Sequence, residues 1–137
     1  MVIVSLFMMG CSEEIDGPAN VQLAGTNENG RSYRISHAEV SLDAISGRVE
    51  LDECVKDNTR IYYPNGTFEE NEGRQKCNKD DPFGFEGTWS INKSETELLL
   101  TIGDSVAIWQ IVGISPQKHK LSRPSDKGTV SYVLERI

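Results

Sequence analysis

From Thr59 to the end of the chain, apolar and polar positions alternate in short runs broken by turn residues. Ile61 and Tyr63 precede Asn65-Gly66, and Phe68 follows. Asn-Gly tolerates positive φ at both positions, so a two-residue hairpin with Tyr63 opposite Phe68 is predicted. "GTWSIN" puts Trp89 and Ile91 on one face, and "ETELLLTI" reaches the turn "GDS". "VAIWQIVGIS" is apolar on both faces, as expected of a strand crossing a core or lying under a covered side. "KHKLSR" is a short polar strand, "RPSDKG" turns the chain, and Val130, Tyr132 and Leu134 share a face of the last strand. Upstream, Tyr33, Ile35 and Ala38–Val40 suggest a first strand after "GTNENG". The stretch between, "SLDAISGRVELDECVKD", reads as irregular with one helical turn. About eight short strands with tight turns predict an all-β protein. The expected architecture is an eight-stranded antiparallel up-and-down barrel, which leaves no exposed edge. The short chain leaves room for a flattened or partly open form.

The N-terminus breaks this pattern. Val2–Met9 is apolar apart from Ser5 but too short to span a bilayer as a helix. It runs into the acidic, Gly/Pro-punctuated "CSEEIDGPAN". That shift is the pattern of a cleaved leader followed by a flexible tether. Gly10 before Cys11 resembles the processing site of bacterial lipoproteins, in which the cysteine becomes the lipidated N-terminus. The expected organisation is a lipoprotein signal peptide over 1–10, a lipidated Cys11 with an acidic tether over 11–22, and the barrel over 23–137. The expected partner is then a membrane, reached through the lipid on Cys11, and the expected location is the cell envelope.

Charge and cysteines narrow the classes. Among 137 residues, 14 Lys and Arg face 21 Asp and Glu, a net charge of −7. That argues against nucleic acid as a partner, for which a basic face is the usual footprint. Cys54 and Cys77 form an even pair in an exported chain, which points to one disulfide. Carrying the Tyr63–Phe68 register outward brings the two cysteines opposite each other. A metal pair is the weaker alternative, because neither histidine is near a cysteine.

The run Cys54-Val55-Lys56-Asp57-Asn58, then Tyr62 to Phe68, Glu72-Gly73, Cys77 and Gly87-Thr88-Trp89, resembles the lipocalin-like domains of Bacteroidetes lipoproteins. "LLLTIG", "WQIVGIS" and "YVLERI" continue the likeness from Leu23 to the end. The resemblance implies a lipocalin-like barrel, paired cysteines and a lipid anchor in the outer membrane. It implies no catalytic residue. The acidic residues after Cys11 resemble a surface-export tag of the same bacteria, and Asp104-Ser105-Val106 resembles their O-glycosylation motif, with Ser105 as acceptor.

No catalytic constellation emerges from the residues. His37 and His119 are expected on the surface, and Ser115 lies too close in sequence to His119 to be served by it as a base. Glu69, Glu70, Glu72, Asp80 and Asp81 lack the spacing of a calcium loop, and a solvated hairpin face is expected. Lys118, Lys120, Arg123 and Lys127 are expected to face outward and guard an edge. No metal or cofactor is expected. Six aromatics, Tyr33, Tyr63, Phe68, Trp89, Trp109 and Tyr132, are candidates to line an interior pocket for a small hydrophobic ligand. The same residues could instead fill a core, leaving an interaction module that binds a protein or glycan through its loops. Phe83 and Phe85 are expected in a loop near the barrel mouth.

Overall fold

A computed structural model of the chain describes residues 18–42, 45–73, 75–80 and 84–137. The leader, Cys11 and most of the expected tether lie outside these residues, as do Asp81 and Phe83.

Nine strands form one antiparallel sheet: β1 (Arg31–Leu42), β2 (Ile45–Val49), β3 (Thr59–Tyr62), β4 (Thr67–Asn71), β5 (Gly84–Ile91), β6 (Glu97–Ile102), β7 (Ser105–Ile114), β8 (Lys118–Ser125) and β9 (Gly128–Arg136). All but β2 form a closed eight-stranded barrel, sealed where β1 pairs with β9 from Tyr33↔Arg136 to Leu42↔Gly128. β2 is an extra strand, lying in the stretch expected to be irregular. The expected helical turn is there too, as α2 (Glu53–Lys56), while α1 (Ala19–Ala24) precedes the barrel.

Although the ring is closed, β1 and β3 diverge. β1 pairs with β3 only over Arg31–Arg34, and the same strand then pairs with β2 over Ala38–Leu42. Between these two ladders β1 has lost β3 and not yet met β2, and α2 packs against β1.

The opposite end is plugged. α1 occupies the last residues expected to be tether, and its Leu23 and Ala24 are buried. The Tyr33 hydroxyl donates to Leu23 O at 2.7 Å, and Arg31 Nη1 donates to Gln22 O at 2.8 Å. These bonds satisfy carbonyls that a short helix leaves without partners. Below the plug, Tyr33, Tyr62, Phe68 and Leu98 are fully buried and Trp89 nearly so. Tyr62 stands edge-on to both Tyr33 and Trp89, at 5.7 and 5.9 Å between centroids. Each such side chain contributes roughly 1.5–3 kcal/mol by burial.

The β3–β4 hairpin departs from expectation by one residue. Tyr62, not Tyr63, pairs with Phe68. Tyr63 N–H donates to Thr67 O at 2.9 Å, Gly66 N–H donates to Tyr63 O at 3.0 Å, and Gly66 has φ +94°. This is a three-residue loop closed by a glycine bulge instead of a two-residue turn. One residue of slip exchanges the two faces of a strand, so Tyr62 enters the barrel and Tyr63 is left outside the core.

The Cys54–Cys77 disulfide is formed, with Cα atoms 5.1 Å apart. Its basis differs from the register argument. Cys54 sits on α2 and Cys77 beyond the end of β4, so neither belongs to the β3–β4 ladder.

Candidate functional site

Alternation along β1 carries the chain from plug to cavity: Tyr33 touches α1, and Ile35, two residues on, faces open space. That space is a solvent-facing cavity of about 280 Å³ in the half of the barrel away from α1. Its apolar wall is Ile35, Leu121, Leu134, Trp109 and Tyr132. Trp109 and Tyr132 meet edge to face, 5.7 Å between centroids. Val55 and Asn58, on and just after α2, form the lip over the seam where β1 leaves β3. With its side-chain amide turned so that Nδ2 faces the acceptors, Asn58 donates to Cys54 O at 3.0 Å and to Glu72 at 3.2 Å. The disulfide and this amide therefore tie the lip to the end of β4.

The polar wall is Arg60, Glu70 and Arg123. Arg60 lies two residues before Tyr62 on β3 and shares its inward face. Arg60 Nη2 donates to both oxygens of Glu70, at 3.1 and 3.3 Å, and both side chains are largely buried. Nη1 donates to the Tyr62 hydroxyl at 3.1 Å, and that hydroxyl lies 3.1 Å from His119 Nε2. The bonding is most complete when Tyr62 accepts from Arg60 and donates to a neutral His119. Burial opposes the charge on Arg60, but Tyr62 and Glu70 outweigh it and hold its pKa above the ordinary value. Burial, helped by the nearby Arg60 charge, pushes His119 down to about 3. Arg60 Nε and His119 Nδ1 have no hydrogen-bond partner among the described residues. Arg123 stacks on Trp109, its Cζ 4.9 Å from the ring centroid.

Of the six aromatic candidates, the structure brings Trp109 and Tyr132 to the cavity. Tyr33, Phe68 and Trp89 fill the core, and Tyr63 lies outside it with its carbonyl accepting from Trp89 Nε1 at 2.9 Å. Four further expectations are corrected. His119 is buried, 1% exposed, because alternation sets it and Leu121 on the face opposite Lys118 and Lys120. Arg123 shares that inward face, so it lines the cavity and does not guard an edge. Glu70 turns inward to Arg60 and is no part of a solvated acidic face. Phe85 belongs to β5, not to a loop, and is 6.4 Å from Phe68. Arg60, which no sequence pattern singled out, and Arg123, expected on the opposite face, are the cationic wall residues.

Outside the barrel, the described residues leave β7 uncovered. Val106, Ile108 and Val112 are each more than half exposed, where the sequence suggested a strand packed on both faces. Ser105 is exposed at the start of β7, beside the two-residue turn Gly103-Asp104. On β1, Ser36 Oγ lies 3.0 Å from His37 Nδ1, and His37 Nε2 lies 3.1 Å from Glu39, which also pairs with Lys120. Lys120 and His37 hold the Glu39 carboxyl below its usual range. This half-buried chain of contacts stitches β1 to β8 across β9, so His37 is less open to solvent than the sequence suggested. Among the described residues no three His, Cys, Asp or Glu side chains are placed to hold a metal ion.

Compared with models of known protein families and with curated proteins, the chain finds no match in either.

Proposed function

We propose that this protein is an exported, lipid-anchored barrel that binds a small, largely apolar molecule in the end of the barrel away from α1. The observation that carries the reading is the division of the interior. One half is filled by Tyr33, Tyr62, Phe68 and Trp89, whereas the other keeps about 280 Å³ against Trp109 and Tyr132. A core without a ligand role would close on such a volume, since interiors pack to crystal-like density.

The leader-like N-terminus and Cys11 support the lipid anchor, and the Cys54–Cys77 disulfide favours an oxidising compartment such as the cell envelope. Together with the barrel they are compatible with the lipocalin-like lipoproteins of Bacteroidetes, and an outer-membrane location belongs to the same proposal. The reading is of a binder, not an enzyme.

A second reading, an envelope interaction module, is favoured by the apolar strip of Val106, Ile108 and Val112. Single exposed apolar residues are ordinary, but three along one strand, broken only by Gln110, suit a contact surface.

Protein produced in an exporting host and weighed natively and after denaturation tests the first reading. A defined mass lost on denaturation, and absent from a Trp109→Ala variant, is the expected result. A captured mass that Trp109→Ala retains would contradict it.

A further inference from the structure

We infer that the cavity selects compact organic anions, with an aromatic or short aliphatic body against Trp109 and Tyr132 and an acid group on Arg123. The inference rests on the binding reading above and adds the chemistry of the ligand.

Charge on the wall comes first. It carries two guanidiniums, Arg60 and Arg123, and one carboxylate, Glu70. Glu70 is committed to Arg60 through both oxygens. Arg123 is left over: among the described residues no carboxylate lies within ion-pair distance of it. An unneutralised cation inside the mouth of a chain of net charge −7 is a local reversal of the protein's field.

Geometry comes second. The guanidinium lies over the Trp109 ring, its Cζ 4.9 Å from the centroid. A guanidinium held over a ring by a cation–π contact still has N–H donors to spare, in the fork that matches a carboxylate or sulfonate. The stack also holds the long side chain in place, which lowers the entropy lost when an anion binds.

Size comes third. About 280 Å³ lies at the small end of ligand pockets, which run from roughly 300 to 1,000 Å³. That excludes a long acyl chain from full burial and favours a body the size of one or two rings.

The test uses a pair of probes that differ in charge and hardly in shape, 1-naphthaleneacetate and 1-naphthaleneacetamide. Their affinities for the purified protein are measured by calorimetry at neutral pH and at two salt concentrations. The acetate should bind about tenfold more tightly than the amide, a difference of about 1.4 kcal/mol, and lose part of that preference in high salt. Arg123→Gln should abolish the preference, so that the variant binds acetate and amide alike, and Arg123→Lys should keep part of it. Because Arg123 is exposed, both variants should fold, which their thermal unfolding would register. Equal binding of the two probes would overturn the inference and leave the binding reading standing. A preference that survives Arg123→Gln would overturn it as well. Failure of both probes to bind would remove the cavity as a ligand site and the inference with it.

Discussion

His119 shows how much one side chain's position decides. Lys118, His119, Lys120 and Leu121 alternate, so the histidine must share a face with the leucine, and the structure buries both. The polar neighbours obscured a pattern that was present. The consequence is a pH dependence with a definite sign. An unfolded histidine titrates near 6.5, whereas burial and Arg60 hold His119 at about 3 in the folded protein. Between those values the unfolded chain binds the extra proton, so stability is complete above pH 6.5 and is lost as pH falls toward 3. The slope is about 1.4 kcal/mol per pH unit over that window. Urea unfolding across the window should show it, and His119→Gln, which cannot titrate there, should flatten it. Glu70 makes a second case. Glu70→Gln leaves the Arg60 charge buried without its ionic partner, and should cost about 3–5 kcal/mol in the same measurement. The Arg60–Glu70 pairing was hidden in the sequence because it depends on the hairpin register, which local pattern left one residue out.

That register belongs to the scale of elements. Asn65-Gly66 did mark the turn, but the loop takes Pro64 through Gly66, and the additional residue exchanges Tyr63 for Tyr62 inside the barrel. Turn residues reveal where a hairpin lies more readily than how long its loop is. Most of β5 to β9 was legible because each strand is a short apolar or alternating run that ends at a strong turn, whereas Phe85 at the head of β5 was not. β2 was not, because Gly47 interrupts a short strand that pairs, among the described residues, with one end of β1 alone. The disulfide was legible as a pairing, though not as a contact within a ladder. Its role is to tie α2, with Val55 and Asn58, to the segment after β4. Cys54→Ser with Cys77→Ser should cost roughly 3 kcal/mol on the chain-entropy account. Hydrogen exchange should then rise over 53–58, while the amides of β6 and β9 stay protected.

For the molecule as a whole, closure and the uneven filling of the barrel matter most. The ring is complete, yet β1 holds β3 through only four residue pairs before turning to β2. The cavity lies beside that divergence, with α2 as its lip. Nothing in the local pattern announced it, since a residue lining a cavity and a residue filling a core have the same apolar, inward periodicity. Trp109 separates the two roles. Truncating a fully packed tryptophan costs about 3–5 kcal/mol, whereas Trp109 is only partly buried and borders the cavity. Trp109→Ala should therefore cost less than Phe68→Ala in thermal unfolding, while removing ligand capture.

The central claim is that ligands enter the barrel and do not settle on its outer wall. The most direct measurement is an amide-resolved NMR titration with 1-naphthaleneacetamide. Shifts should concentrate at Ile35, Trp109, Leu121, Tyr132 and Leu134, around the cavity. Shifts confined to Val106, Ile108 and Val112 would place the contact on the outer face and contradict the account.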